Sequence, residues 1–508
     1  MELFIISLPL LLLLLLLLIL YSQTTSKKPS SNPNTNFKPY PFLGHIPHLV
    51  KHRHESLEWI STLLSESPTH SLVFKVPFES DTFVTSNPAN IEHMIKSNFS
   101  NYPKGHQHIT LLEDFLGHGI FNSDGDHWNW QRKAASYEFN KKSLRNFIIN
   151  TVKQEIVHRL LPLATKKCNS GEVFDLQEVF ERLSFDNICK VAFGEDPCCL
   201  TDDTSRSQLV RAFGDASHIA VARFNSTLIP FTWRIKKLLN LGSEKRLKEC
   251  IKIINNYAMN IIRSRRESEQ EDDDLLSRFA SNKDNSDQHL RDIVISFIVA
   301  GLETTSSALT WFFWILSTRP DVEEKILKEL SKIRSQRNSC GDNYDTFNFD
   351  ELREMHYLHA AISESLRLYP PVPFDSQSCL EDDIMPDGTL IRKGWFVTYC
   401  AYSVGRLRDV WGEDCMEYRP ERWLEDGVFK PENPFKFPVF HAGPRMCLGK
   451  EMAYIQMKSA VACLIERFRI EALVAKDKHP EMVRWLTIRM KDGLPVLLRE
   501  REKREGVE

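Results

Sequence analysis

Phe440-His441-Ala442-Gly443-Pro444-Arg445-Met446-Cys447-Leu448-Gly449 is the stretch on which the reading of this chain turns. A lone cysteine is ordinarily a small buried hydrophobe, but the setting of Cys447 argues otherwise. Gly443 and Gly449 flank the thiol and let the backbone approach a flat ligand closely. Arg445, two residues before the thiol, is a permanent cation suited to a carboxylate on such a ligand. A helix beginning near Gly449 points its positive end back at the sulfur, which favours thiolate. Thiolate is the form in which sulfur binds a metal, so Cys447 is the candidate metal ligand.

Three further constellations precede this loop. Glu364 and Arg367 lie in the segment 360–369, which ends at Pro370-Pro371. Their spacing puts both side chains on one helical face, although such a pair on its own is usually a solvated salt bridge. The segment Asp292–Leu316 is the longest apolar-periodic run of the body, closed by Arg319-Pro320. It holds Trp311, Phe312, Phe313 and Trp314 together, too bulky for a surface, and is expected as a central buried helix. Arg291, Asp292 and Glu303 argue against a second membrane span there. Within it, Ala300-Gly301-Leu302-Glu303-Thr304-Thr305 sets an acid beside a hydroxyl in mid-helix, which propensity disfavours. The plain reading is that Thr304 bonds back to the preceding turn. Lastly, Trp128 and Arg132 stand one helical turn apart.

The decapeptide resembles the haem-binding loop of the cytochrome P450 family, Phe-x-x-Gly-x-Arg-x-Cys-x-Gly, at every fixed position. The other three motifs fall in the order that family requires, and the resemblance covers the whole chain. It implies a mainly α fold with small β-sheets (α+β) around haem b, iron protoporphyrin IX, with Cys447 as the axial iron ligand. An iron-bound thiolate pushes electron density onto the metal and promotes O–O cleavage. Phe440, Arg445, Gly449, Trp128 and Arg132 are then expected around the haem. Gly301 is expected to clear space for dioxygen, and Thr304 and Glu303 to deliver protons. Glu364 and Arg367, with Arg422 of Tyr418-Arg419-Pro420-Glu421-Arg422-Trp423, take a structural role beneath the haem. Dioxygen and NADPH are the co-substrates, with NADPH–cytochrome P450 reductase as partner.

From Leu3 to Leu20 the chain is apolar apart from Ser7 and Pro9, enough for a helix of about 27 Å, close to the hydrocarbon thickness of a bilayer. A cleaved signal peptide is the rival reading, but it wants a positive n-region, a shorter apolar stretch and a small-residue cleavage site. Here Glu2 precedes the run, and Lys27 and Lys28 follow it, which should keep that flank cytoplasmic. The expected organisation is a membrane anchor over 3–21, a Pro/Ser/Asn-rich linker over 22–41 and a catalytic domain over 42–508. That places a single-pass protein in the endoplasmic reticulum membrane, in contact with lipid. Eleven cysteines, odd in number and irregular in spacing, form no disulfide framework or zinc site. A net charge of −3 gives no reason to expect nucleic acid. Short strands are expected at Leu72–Val76 and Thr82–Thr85, a hairpin around Lys393-Gly394, a solvated acidic loop at Glu267–Asp274 and a final helix from Gly449.

Further stretches are similar to plant fatty-acid ω-hydroxylases of family 94 in clan 86. These are Tyr102-Pro103-Lys104-Gly105, the run Leu116–Gly125, and Gln131-Arg132-Lys133 with Tyr137-Glu138-Phe139. That resemblance implies hydroxylation of a lipophilic chain at or near its terminal carbon. The chain is a fatty acid, a jasmonoyl–amino acid conjugate or the side-chain end of a steroid. By transfer, Phe115, Ile120, Phe121, Ile298, Ala300, Val372, Phe374 and Asp375 should line the pocket, with Trp485 and Leu486 closing it. They are mostly apolar, as a lipophilic substrate needs. A hydroperoxide-rearranging enzyme on the same fold, and a non-catalytic haem protein, are the more distant alternatives.

Overall fold

The structure, a computed structural model, describes residues 37–501 except 78–79, 140–150, 202–203, 225–231, 268–273, 283–284, 338–345 and 475–478. The expected anchor, most of the linker and most of the acidic loop lie outside the described residues. The body is already under way before Phe42, because Phe37 is buried, stacked on His45 and packed edge-on against Phe74.

The longer helices, numbered in order, are α1 (Ser56–Glu66), α2 (Gly105–Leu116), α3 (Gly125–Ser136), α4 (Leu176–Phe193), α5 (Thr204–Ala222), α6 (Gly242–Glu267), α7 (Asp287–Ser317), α8 (Pro320–Ser335), α9 (His356–Leu368) and α10 (Lys450–Arg467). The strands are β1 (Ser71–Phe74), β2 (Thr82–Thr85), β3 (Phe174–Asp175), β4 (Phe374–Ser378), β5 (Asp383–Ile384), β6 (Leu390–Ile391), β7 (Phe396–Cys400), β8 (Leu424–Glu425), β9 (Val428–Phe429), β10 (Phe468–Ala472), β11 (Met482–Arg484), β12 (Ile488–Met490) and β13 (Pro495–Glu500). The fold is thus mainly helical with small sheets.

α7 is the axis of the molecule. The hydroxyl of Ser286 accepts the His289 N–H at 3.2 Å to cap its start, and Pro320 opens the next helix just beyond its end. Its mean hydropathy and length would suit a membrane span, but 83% of that window is buried inside the protein. A helix apolar on all sides belongs in a core. α4 crosses α7 at Gly301, where an added Cβ would come within 2.5 Å of the Ile188 side chain.

The largest sheet has the order β1-β2-β7-β4. β2 and β7 are parallel, with Thr82 opposite Phe396, so a strand near the start of the body is zipped to one more than three hundred residues later. The Lys393-Gly394 turn is real, with Gly394 at φ +83°, but it does not close a hairpin. β6 before it pairs with β5, whereas β7 after it pairs with β2 and β4. Beyond α10 the described residues form four strands, of which β11 and β12 make a two-stranded hairpin with Trp485 to Thr487 at its tip.

Candidate functional site

The loop before α10 is held by its own backbone. Cys447 N–H donates to Phe440 O at 2.8 Å and Met446 N–H to Gly443 O at 3.1 Å. The Phe440 ring packs on Tyr454 of α10, centroids 5.3 Å apart. Gly443 is required for a reason other than ligand approach: its φ is +65°, and an added Cβ would lie 2.1 Å from the Ile95 carbonyl oxygen. No side chain caps the start of α10, so the N–H groups of Gly449 and Lys450 are left to face the sulfur. Residue 447 is solvent-accessible, yet burial is the largest influence on its thiol and pushes the pKa up. The two observations agree if the thiol opens onto an internal slot, not onto the outer surface. The Gly449 N–H and the Arg132 charge oppose that rise and favour thiolate.

Charges from five segments converge beside this loop. The Arg445 guanidinium lies 4.4 Å from the centre of the buried Trp128 ring. Its Nη2 donates to Asp124 Oδ1 at 2.7 Å and to Ser123 O at 2.9 Å, while its buried Nε is unpartnered. Asp124 also accepts the N–H groups of Lys104 and Gly105 at 2.9 and 2.8 Å. Arg132 is half-buried on the next turn of α3 after Trp128. Asp375 is paired with Lys104 and His441. Burial pulls its carboxyl up, but the Lys104 ammonium and His441 outweigh it and hold it well below the usual carboxylate range. Sequence reading missed Asp124, Lys104 and His441, because their partners lie far away in the chain.

Glu364, Arg367 and Arg422 are brought together. Arg367 donates from Nε and Nη2 to the two Glu364 oxygens at 2.7 and 2.8 Å. Arg422 Nε, Trp423 Nε1 and the Arg419 N–H reach the same carboxylate at 2.8, 2.9 and 2.9 Å. Arg367 also donates to Cys415 O, Glu417 O and Gly405 O. One buried carboxylate therefore ties α9 to the irregular segment around 405–423.

On α7, Thr304 Oγ1 donates to Ala300 O at 2.7 Å, the back-bond of the plain reading. Glu303 does not meet it. Its Oε2 accepts from Ser217 of α5 at 3.0 Å and from Thr487 of the β11–β12 hairpin at 3.4 Å, while its buried Oε1 has no partner among the described residues. Burial raises the Glu303 carboxyl to about 8. Gly301 faces Ile188, so its missing side chain lets α4 and α7 pack closely.

The expected lining residues divide. Phe115 and Ile298 are fully buried in the core between α2, α4 and α7, and Ile120 is nearly so. Phe121 and Val372 are accessible at 43% and 38%, and Phe374 and Ala300 are partly buried. Trp485 is stacked under the Arg489 guanidinium at 3.8 Å and packs against Gly214 of α5. Leu486 packs on the α4–α7 core and donates its N–H to Ser217 Oγ at 3.1 Å.

An accessible thiol in the depth of a helical body, with guanidinium groups to one side, suits a protein that holds an anionic prosthetic group. Comparison with known sequences identifies which. The cytochrome P450 family model matches residues 35–497. Among the relatives, cytochrome P450 CYP94D108 of Paris polyphylla is 48% identical over 94% of each chain. Cytochrome P450 94A1 of Vicia sativa is 42% identical over 92% of this chain and 90% of its own. Cytochrome P450 86B1 of Arabidopsis thaliana is 41% identical over 92% and 86%. The chain belongs to the cytochrome P450 family and is a monooxygenase that uses haem b, dioxygen and NADPH-derived electrons delivered by a redox partner to act on a small molecule. The residues present fit that group: a thiol with two backbone N–H groups aimed at it, and a buried Arg445 Nε left without a partner beside Trp128.

Proposed function

We propose that this enzyme hydroxylates a lipophilic chain at or near its terminal carbon, with fatty-acid ω-hydroxylation as the leading case. Bound haem would supply oxygen activation, and Cys447 would hold its iron. The observation that carries the reading is the thiol's setting. Residue 447 is accessible but deep, at the positive start of α10 and beside Arg132. Trp128, Arg132 and Arg445 would bind the propionates. Glu364, Arg367 and Arg422 hold the chain beneath, and Phe440 and Gly449 hold the loop. The Thr304 hydroxyl keeps a lone pair free while it donates to Ala300 O, so it can accept and pass a proton. Phe121 and Val372 offer apolar, accessible surface to an alkyl chain. Relatives numbered 94 and 86 support the chain-end reading. The segment 3–21 would anchor the enzyme in the endoplasmic reticulum membrane, linked through 22–41 to a cytoplasmic body at 42–508. NADPH–cytochrome P450 reductase would be its partner.

Reduced protein with carbon monoxide should show the absorption peculiar to thiolate-bound haem, and Cys447→Ala should abolish it. A histidine-type spectrum defeats the reading. Thr304→Ala should keep the spectrum but divert NADPH electrons to peroxide. Membranes carrying the enzyme and a reductase should convert a fatty acid to its ω-hydroxy product by mass. Oxidation of a jasmonoyl–amino acid conjugate or a sterol side chain instead would reassign the substrate. Turnover of a fatty-acid hydroperoxide without NADPH would replace the oxygenase reading altogether.

A further inference from the structure

Glu303 borders a small cavity on the α4 and α5 side of α7, walled by Val210, Gly214, Trp485, Ser306 and Arg489. It has room for about one water molecule. Two buried polar atoms in its wall residues lack partners among the described residues, Glu303 Oε1 and Arg489 Nε. A second carboxyl, Glu181 of α4, lines the same space and is ion-paired to Arg489. Arg489 is itself fixed, since its guanidinium sits 3.8 Å from the Trp485 ring centre. Trp485 fits there only because Gly214 has no side chain: a Cβ would lie 2.2 Å from its ring. The hairpin that carries Arg489 is tied to α7 by Ser307 Oγ donating to Ile488 O at 2.6 Å. Gln177 Nε2 ties it to α4, donating to Met490 O at 3.2 Å. Polar atoms that are buried, unpartnered and set around a water-sized space call for a bridging water.

We propose that Glu181 is the residue that re-supplies Glu303 with protons across this cavity through a single water, with Arg489 as the positioning residue that aims it. This rests on the expectation, carried by the family resemblance, that Glu303 as well as Thr304 delivers protons to oxygen from α7. The proton count agrees. Hydroxylating RH to ROH and reducing the second oxygen atom of dioxygen to water consumes two electrons, from NADPH, and two protons. When Glu303 gives up its carboxyl proton, the water donates one to Oε1 and is itself reprotonated by Glu181. Glu181 then recovers a proton from solvent through its 13% exposed side chain. Burial raises Glu303 to about 8, with Ser217, Arg489 and Thr487 opposing and Glu181 assisting. Burial also raises Glu181 to about 7, with Arg489 opposing and Asp175 and Glu178 assisting. Near neutral pH Glu303 therefore holds its proton, while Glu181 is divided between the carboxylate that pairs with Arg489 and the acid that can donate.

The test uses full-length holoenzyme in membranes with a reductase. Glu181→Gln should lower product formed per NADPH by about 10-fold and enlarge the solvent deuterium isotope effect. In the resting protein, it should slow hydrogen–deuterium exchange of the buried Glu303 carboxyl, read by its infrared C=O band. The thiolate spectrum should be unchanged. Val210→Phe, which fills the cavity and leaves the ion pair in place, should do the same and carries the test if Glu181→Gln does not fold. Wild-type coupling, isotope effect and exchange in both variants, while Thr304→Ala still uncouples, overturn the Glu181 path and leave the α7 reading standing. A Thr304→Ala enzyme that hydroxylates normally overturns that reading as well.

Discussion

Glu364 on α9 and Glu303 on α7 are both buried carboxyls on long helices, and they are treated in opposite ways. Glu364 is met by three guanidinium nitrogens, an indole N–H and a backbone N–H, all between 2.7 and 2.9 Å. Glu303 has two hydroxyls, one of them at 3.4 Å, and an oxygen with no partner. A fully hydrogen-bonded buried ion network is rigid and costly to disturb. A buried acid with half its bonds made can change protonation with little rearrangement. The side that carries the thiol loop and its support is built to hold its shape, and the far side of α7 is built to titrate.

The largest effect should come from breaking the rigid side. Arg367→Ala leaves Glu364 without its bidentate partner and Cys415 O, Glu417 O and Gly405 O without a donor. Removing one member of such a network costs about 3–5 kcal/mol. The variant should accumulate without a thiolate–haem spectrum and be cleared by limited proteolysis, whereas survival with normal haem content would show the network to be dispensable. A middle effect should follow Gly443→Ala, which meets both the Ile95 carbonyl and an unfavourable φ. A loss of about 1–3 kcal/mol is expected, read as a lower melting temperature and faster haem loss, while Gly301→Ala should instead be felt at the α4–α7 crossing against Ile188.

The smallest effect sharpens the titrating side. The folded state holds the Glu303 proton up to about pH 8, against 4.5 for an ordinary glutamate. Between those values the unfolded chain has lost a proton that the folded chain keeps. Stability therefore falls as pH rises through that window. Glu303→Gln removes this slope. Its melting temperature should match wild type near pH 5 and exceed it by roughly 5 °C near pH 9. Equal melting temperatures at both pH values would mean that Glu303 is ionised throughout.

What could be read without coordinates was local or periodic. The thiol loop is one contiguous decapeptide, and the apolar-periodic run of α7 is closed by Arg319-Pro320. The pairing of Glu364 with Arg367 follows from helical spacing alone. What escaped were partners set by chain crossings: Asp124 with Arg445, Lys104 with Asp375, and β2 beside β7. The glycine on α5 that receives Trp485 is another such partner. No pattern within either segment announces that fit.

The sequence by itself determined where a thiolate, a helix axis and a helical acid–base pair lie along the chain, because loop chemistry and hydrophobic period act over a few residues. Only the tertiary structure decided which charges those residues meet and how fully each is satisfied. Hydrogen bonds and burial depend on atoms brought within about 3 Å from segments hundreds of residues apart, and that proximity separates Glu364, which is locked, from Glu303, which is free to titrate.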